Sequence, residues 1–195
     1  MKIIAGQARG RKLKAPAGMT TRPATARIRE SIFSRLLARL DFDGLEVLDI
    51  FAGSGSLGIE ALSRGASHAT FIDSSKAAAS AIRENLAMLG LGDRARIIAN
   101  DLRRALPELA REGKSFGLAF VDAPYKDDIS NEVMKMLAEL GLIGAGGWVV
   151  IRQFKRAPEP PAAPVGFELF KIATMGDHRI AYYRRPDAGV EQQSG

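Results

Sequence analysis

Residues 45–62 read LEVLDIFAGSGSLGIEAL. A short apolar run ends on Asp49, glycines follow at Gly53, Gly55 and Gly58, and a stretch with helical apolar spacing comes next. This is a buried strand, a tight turn and a helix, the opening of a strand–helix–strand unit. The alternation continues downstream. HATFID (68–73) reads as a second strand, followed by an Ala-rich helix over 75–89. ARIIAN (95–100) is a third, with a helix from Leu102 to about Arg111. FGLAFVD (116–122) is a fourth, followed by a helix over 129–140, and GGWVVIRQF (146–154) is a fifth. Beyond a Pro-rich stretch at 157–164, FELFKIATM and RIAYYRR flank Gly176-Asp177-His178 and read as an antiparallel hairpin.

Repeated strand–helix units imply a parallel sheet with helices on both faces. The expected fold is α/β, a doubly wound Rossmann-like sheet of order 3-2-1-4-5 with a C-terminal antiparallel hairpin. In that order strands one and four are neighbours at the switch point, and ligands bind beyond their C-terminal ends. The glycine loop and the end of the fourth strand should therefore face each other.

Upstream, KIIAGQARGRKLKA (2–15) reads as a short basic hairpin turning near Gly10, and 16–24 as a connector. TARIRESIFSRLLARL (25–40) carries Ile28, Ile32, Leu36 and Leu40 at every fourth position, with Phe33 and Leu37 widening the stripe. That is an amphipathic helix with Thr25 as N-cap. The expected division is a basic N-terminal hairpin and connector over 1–24, one catalytic domain over 25–186 and a disordered tail over 187–195. The first of these is expected to contact a polyanion.

The chain has 195 residues and is 46% hydrophobic, enough for one well-filled core. No apolar run approaches the ~20 residues of a membrane span, and the first residues are too weakly apolar for a signal peptide. There is no cysteine, so disulfides and thiolate metal sites are excluded. These features fit a cytoplasmic protein, expected to act as a monomer. Net charge is +6, unevenly spread: residues 1–40 hold ten Lys or Arg against one acid, and the remainder hold eighteen against twenty-one. A near-neutral body with a basic front end points to a polyanionic partner.

Gly53-x-Gly55-x-x-Gly58, with Asp73 twenty residues after Gly53, also suits a dinucleotide site, so a nicotinamide oxidoreductase is one reading. Asp49 opposes it, because a carboxylate beside the loop repels a pyrophosphate. S-adenosylmethionine has no phosphate and carries an ammonium and a sulfonium, which Asp49 favours. The loop residues Phe51, Gly53 and Gly55 let the ligand approach the backbone. Asp73 can accept from both ribose hydroxyls, Asp101 from the adenine amino group, and the Leu102 N–H can serve a ring nitrogen. Each acid also has a plainer reading, Asp49 as a turn opener and Asp73 and Asp101 as helix caps.

The fourth strand runs into Asp122-Ala123-Pro124-Tyr125. An exocyclic nucleobase amine is a poor nucleophile, because its lone pair is delocalised into the ring. Two acceptors gripping its N–H bonds, the Asp122 carboxylate and the Ala123 carbonyl, free that lone pair. Pro124 restricts residue 123 to extended conformations and so holds its carbonyl. Tyr125 offers a face for base stacking, worth ~1–3 kcal/mol. No residue pattern suggests a catalytic metal, and His68 and His178 read as structural.

DIFAGSGSLGIEALSRGA, FID, ND and VDAPY resemble class I S-adenosylmethionine-dependent methyltransferases of the amino-N type, whose fourth-strand signature is Asp/Asn-Pro-Pro-Tyr/Phe. IIAGQARGRKLKAP and TRPATARIRESIFSRL resemble the N-terminal signature of the RsmD family. The resemblance spans about residue 2 to Arg184. It implies a 16S ribosomal RNA guanine-N2 methyltransferase that yields S-adenosylhomocysteine and acts on RNA, within an assembling small subunit. It also implies phosphate clamps at Arg9, Arg11, Lys12 and Lys14, with Arg22, Arg27 and Arg29 nearer the site. Ala123 departs from the family's first Pro and removes the φ lock there. Adenine-N6 and protein-glutamine methyltransferases share the fourth-strand motif and remain alternatives.

Overall fold

The structure, a computed structural model, describes residues 1–17, 25–122, 129–162 and 164–187. Arg22, Ala123, Pro124, Tyr125 and the tail beyond Asp187 lie outside the described residues.

Seven strands form one sheet in the order β3-β2-β1-β4-β5-β7-β6. They are β1 (Glu46–Ile50), β2 (His68–Ile72), β3 (Ala95–Ile98), β4 (Phe116–Asp122), β5 (Ile143–Phe154), β6 (Glu168–Met175) and β7 (His178–Arg184). The first five are parallel, and β7 and β6 add antiparallel on the β5 side. This is the expected order with the expected hairpin. The helices are α1 (Ala26–Leu37), α2 (Ser56–Ser63), α3 (Lys76–Leu89), α4 (Leu102–Arg111) and α5 (Ile129–Glu139).

Two apolar cores lie on the two faces of the sheet, since alternate strand residues point opposite ways. Val47, Phe71, Leu118, Phe120, Val150 and Tyr182 belong to one, with α1 to α3 supplying Ile32, Leu62 and Ile82. Leu48, Ile50, Ala119, Val121, Val149 and Tyr183 belong to the other, with α4 and α5 supplying Leu106 and Val133. The near-continuous apolar runs of β1 and β4 follow from burial on both sides.

The N-terminal segment folds back on itself: Lys2 and Lys12 form an antiparallel bridge, Ile3 N–H donates to the Arg11 carbonyl at 2.9 Å, and Leu13 N–H to the Met1 carbonyl at 2.8 Å. The turn is tied to the body, where the N–H groups of Ile4 and Ala5 donate to the Glu60 carboxylate at 2.8 and 3.0 Å. Ala8 N–H donates to Ser63 Oγ, and Lys14 N–H to Asn85 Oδ1. Gly6, at φ 79°, lies so close to the Ser63 carbonyl that a β-carbon would meet it at 1.8 Å. The arm is thus laid over α2 and α3, with Ile3, Ala8 and Leu13 in the first core.

Candidate active site

β1 delivers Asp49 to the interior at 1% exposure and hands over to the glycine loop. The loop turns through Phe51 at φ 59°, Gly53 at 56° and Gly55 at 74°. A left-handed phenylalanine is uncommon and costs of order 1–3 kcal/mol, a strain typical of ligand-binding turns. Gly55 forms the N-cap position of α2. Gly58 serves packing, because a β-carbon there would meet Phe71 at 2.4 Å. That close approach lets Gly58 N–H donate to Asp49 Oδ2 at 2.9 Å.

Asp73, just past β2, clamps the loop. One carboxylate oxygen accepts from Gly53 N–H at 2.8 Å and the other from Ser75 N–H at 2.9 Å. A carboxylate has about four acceptor sites, so about two remain for a ligand. The cap of α3 is Ser75 itself. Asp101 does cap α4, accepting from Arg103 N–H at 2.8 Å. Phe51, Asp73, Asp101 and Leu102 meet in a cleft of about 150 Å³. Arg103, on the same wall, reaches Glu132 of α5 through two bonds of 2.5 and 2.7 Å. Gly53 joins the cleft through Asp73, while Asp49 and Gly55 are buried.

The electrostatics of this crevice are negative. Burial pushes the Asp49 carboxyl well above the ordinary carboxylate range. The Gly58 N–H pulls it down, and Asp122 and Asp73 push it further up. Asp49 Oδ1 is buried and has no hydrogen-bond partner among the described residues. A buried acceptor lacking a donor costs ~1–3 kcal/mol. A cationic ligand removes that cost, whereas a pyrophosphate raises it.

Asp122 ends β4, and β1 and β4 are adjacent with Ile50 opposite Val121, so the two motifs do face each other. Its partner was not anticipated. Arg152 of β5 stands directly across in register, and its Nη2 lies 2.5 and 2.6 Å from the two Asp122 oxygens. Arg152 Nη1 also lies 3.1 Å from His178 Nδ1. The signal was present in VVIRQF: a charged residue inside a buried strand requires a partner. Among the described residues, no group of three His, Asp or Glu is arranged to hold a metal ion.

The basic residues divide. Arg9, Arg11, Lys12, Lys14 and Arg27 are exposed. Arg11 donates to the Met88 carbonyl, and Lys14 pairs with Glu84 at 2.8 Å. Arg29 is corrected as an RNA contact: it is fully buried, and its guanidinium donates to the Lys2 carbonyl beneath the arm. Burial lowers its pKa and Glu60 opposes that.

Residues 1–184 match the family described as Conserved hypothetical protein 95. The chain is 37% identical over 185 residues to the Bacillus subtilis (strain 168) protein named "Putative rRNA methyltransferase YlbH", covering 95% of this chain and 99% of that one. It is 34% identical over 189 residues to Ribosomal RNA small subunit methyltransferase D of Escherichia coli (strain K12), covering 97% and 92%. This chain belongs to the RsmD family of S-adenosylmethionine-dependent methyltransferases. A solved Escherichia coli structure, "Putative methyltransferase yhhF", superposes with a TM-score of 0.79 at 33% identity, covering 96% of this chain and 98% of that one. The RsmD-family cofactor fits the residues present. The orphaned Asp49 oxygen and three converging carboxylates suit a cation, and a buried carboxylate behind the loop disfavours a pyrophosphate.

Among the described residues no helix is long and apolar enough to cross a membrane.

Proposed function

We propose that this chain methylates the exocyclic N2 of a single guanine in 16S ribosomal RNA. The observation that carries the reading is the apposition of the Gly53–Gly55 loop, with buried Asp49, to Asp122 at the end of the neighbouring strand. The name of the 34%-identical relative supports the RNA target.

Bound S-adenosylmethionine supplies an electrophilic methyl on a sulfonium and leaves as the neutral thioether S-adenosylhomocysteine. Asp49 and Asp73 hold its charged and ribose parts, with Asp101 and Leu102 at the adenine. Asp122, held by the Arg152 guanidinium, accepts a hydrogen bond from the guanine amine and orients its lone pair. The proton shed by the methylated nitrogen leaves along that hydrogen bond. Ala123 supplies the second acceptor, Pro124 holds it, and Tyr125 stacks on the base. Arg9, Arg11, Lys12, Lys14, Arg22 and Arg27 bind phosphates. The substrate is small-subunit RNA in an assembling particle.

Primer-extension mapping after incubation with labelled S-adenosylmethionine tests this on free RNA, partly assembled subunits and finished subunits. One guanine stop in small-subunit RNA is expected. Label found on adenine, or on protein glutamine, refutes it.

A further inference from the structure

Arg152 sits in an otherwise apolar run, 7% exposed, and makes contacts on two sides. On one side is the Asp122 carboxylate, and on the other is His178 Nδ1. A guanidinium has only donors, so His178 Nδ1 is the acceptor, and the neutral ring carries its proton on Nε2. The ring packs on Phe154 at 4.4 Å between centroids. Burial and the Arg152 charge press its pKa below the ordinary value, and Asp122 and Asp177 oppose them. His178 also lines a cleft of about 420 Å³ with Thr25, Arg27 and Ile28 from the start of α1 and Gly176 and Asp177 from the β6–β7 turn.

We propose that Arg152 is a positioning residue for methyl transfer, locking the Asp122 carboxylate in one orientation while His178 locks the guanidinium. Its role rests on the reading of Asp122 as the group that grips the acceptor amine. A carboxylate at a strand end can rotate about its side-chain bonds, and its acceptor lone pairs then sweep past the amine. Arg152 Nη2 contacts both oxygens while Nη1 of the same rigid plane is held by His178, which stops that rotation; a flexible ammonium cannot hold both partners in one fixed plane. The cleft wall at the β6–β7 turn and the acceptor-gripping group thereby become one rigid unit.

The test compares Arg152→Gln, Arg152→Lys, His178→Asn and Asp122→Asn. Three quantities are read: S-adenosylmethionine affinity by calorimetry, single-turnover rate against RNA concentration, and His178 ring-nitrogen shifts by NMR. Arg152→Gln should lower the maximal rate by about 100-fold, the scale of an ångström-sized misplacement. Cofactor affinity and half-saturating RNA should stay unchanged. Arg152→Lys should recover part of the rate. In wild type His178 Nδ1 should be unprotonated at neutral pH, and its pKa should rise in Arg152→Gln.

A wild-type maximal rate in Arg152→Gln, with Asp122→Asn inactive, overturns the proposal alone. If Asp122→Asn is also fully active, the acceptor reading itself falls. A raised RNA half-saturation with an unchanged maximal rate would make Arg152 an RNA contact and also overturns it. Should Arg152→Gln fail to fold, full rates in both Arg152→Lys and His178→Asn overturn it.

Discussion

Asp49→Asn should change stability and cofactor affinity in opposite directions. The wild-type carboxyl is 1% exposed, with one oxygen on Gly58 N–H and the other buried without a donor among the described residues. Asparagine keeps the bond from Gly58 and removes the group whose ionisation burial penalises. Its amide still lacks a partner, so only part of the ~1–3 kcal/mol penalty is relieved. A net gain of about 1 kcal/mol raises Tm by roughly 2–4 °C in a chain of this length. The ligand loses its anion, and its affinity should drop at least about tenfold, or ~1.4 kcal/mol. The pH dependence follows from linkage. Burial raises the folded-state pKa above the unfolded one. The native state therefore keeps a proton that the unfolded chain has lost, and wild-type stability falls as pH rises from the ordinary aspartate range to the raised value. Asp49→Asn should lack that slope, and the wild-type cofactor affinity should rise with pH over the same window. Thermal melts with and without S-adenosylmethionine, and calorimetry in buffers of different ionisation enthalpy, measure all of this. A variant that melts lower and binds the cofactor as before would make Asp49 only an anchor for Gly58.

Asp73→Ala should weaken S-adenosylmethionine by ~1.5–3 kcal/mol in calorimetry, because hydrogen bonds to a charged group are lost. It also frees Gly53. Replacing Arg9, Arg11, Lys12 and Lys14 by Ala should flatten the salt dependence of RNA binding by up to ~0.7–0.9 log unit per lost phosphate contact. Arg9 and Lys12 should dominate, since Arg11 and Lys14 already hold Met88 and Glu84. Arg29→Ala should leave that slope intact and cost ~1.5–3 kcal/mol of stability by denaturant titration, through loss of its charge-assisted bond to the arm.

The sheet was legible because its strands are apolar on both faces and are cut by a glycine loop at a recognisable spacing. β4 was read to the residue, Phe116–Asp122. The arm's place on the body was not legible, because the groups that capture its backbone, Glu60, Ser63 and Asn85, lie more than fifty residues away in sequence. Arg29 was legible in principle. Phe33, one turn on, is fully buried while Leu37 beyond it is exposed, so it is Phe33 that places position 29 on the buried face. Asp101 shows the limit of local patterns, because its capping bond is present whether or not it also serves a ligand. The Asp122–Arg152 pair needed the sheet register, which brings together residues thirty positions apart.

That register also settles a conflict of charge at the mouth of the site. The proposed cofactor is cationic and the proposed acceptor belongs to a polyanion, yet both must reach the same strand ends. Asp73 and Asp122 both place negative charge there and push the Asp49 carboxyl upward. Asp49 and Asp73 have no ion pair among the described residues, whereas Asp122 is neutralised by Arg152, 8% exposed on its side chain. The uncompensated charge therefore lies on the β1–β2 side, where it attracts a sulfonium and ammonium. The β4–β5 side presents a carboxylate that accepts hydrogen bonds without repelling an incoming phosphate backbone at long range. Removing Arg152 would accordingly do more than loosen Asp122. It would leave an unpaired charge at the acceptor itself, which physiological salt confines to about 8 Å, so the loss should appear in the maximal rate and not in the half-saturating RNA concentration.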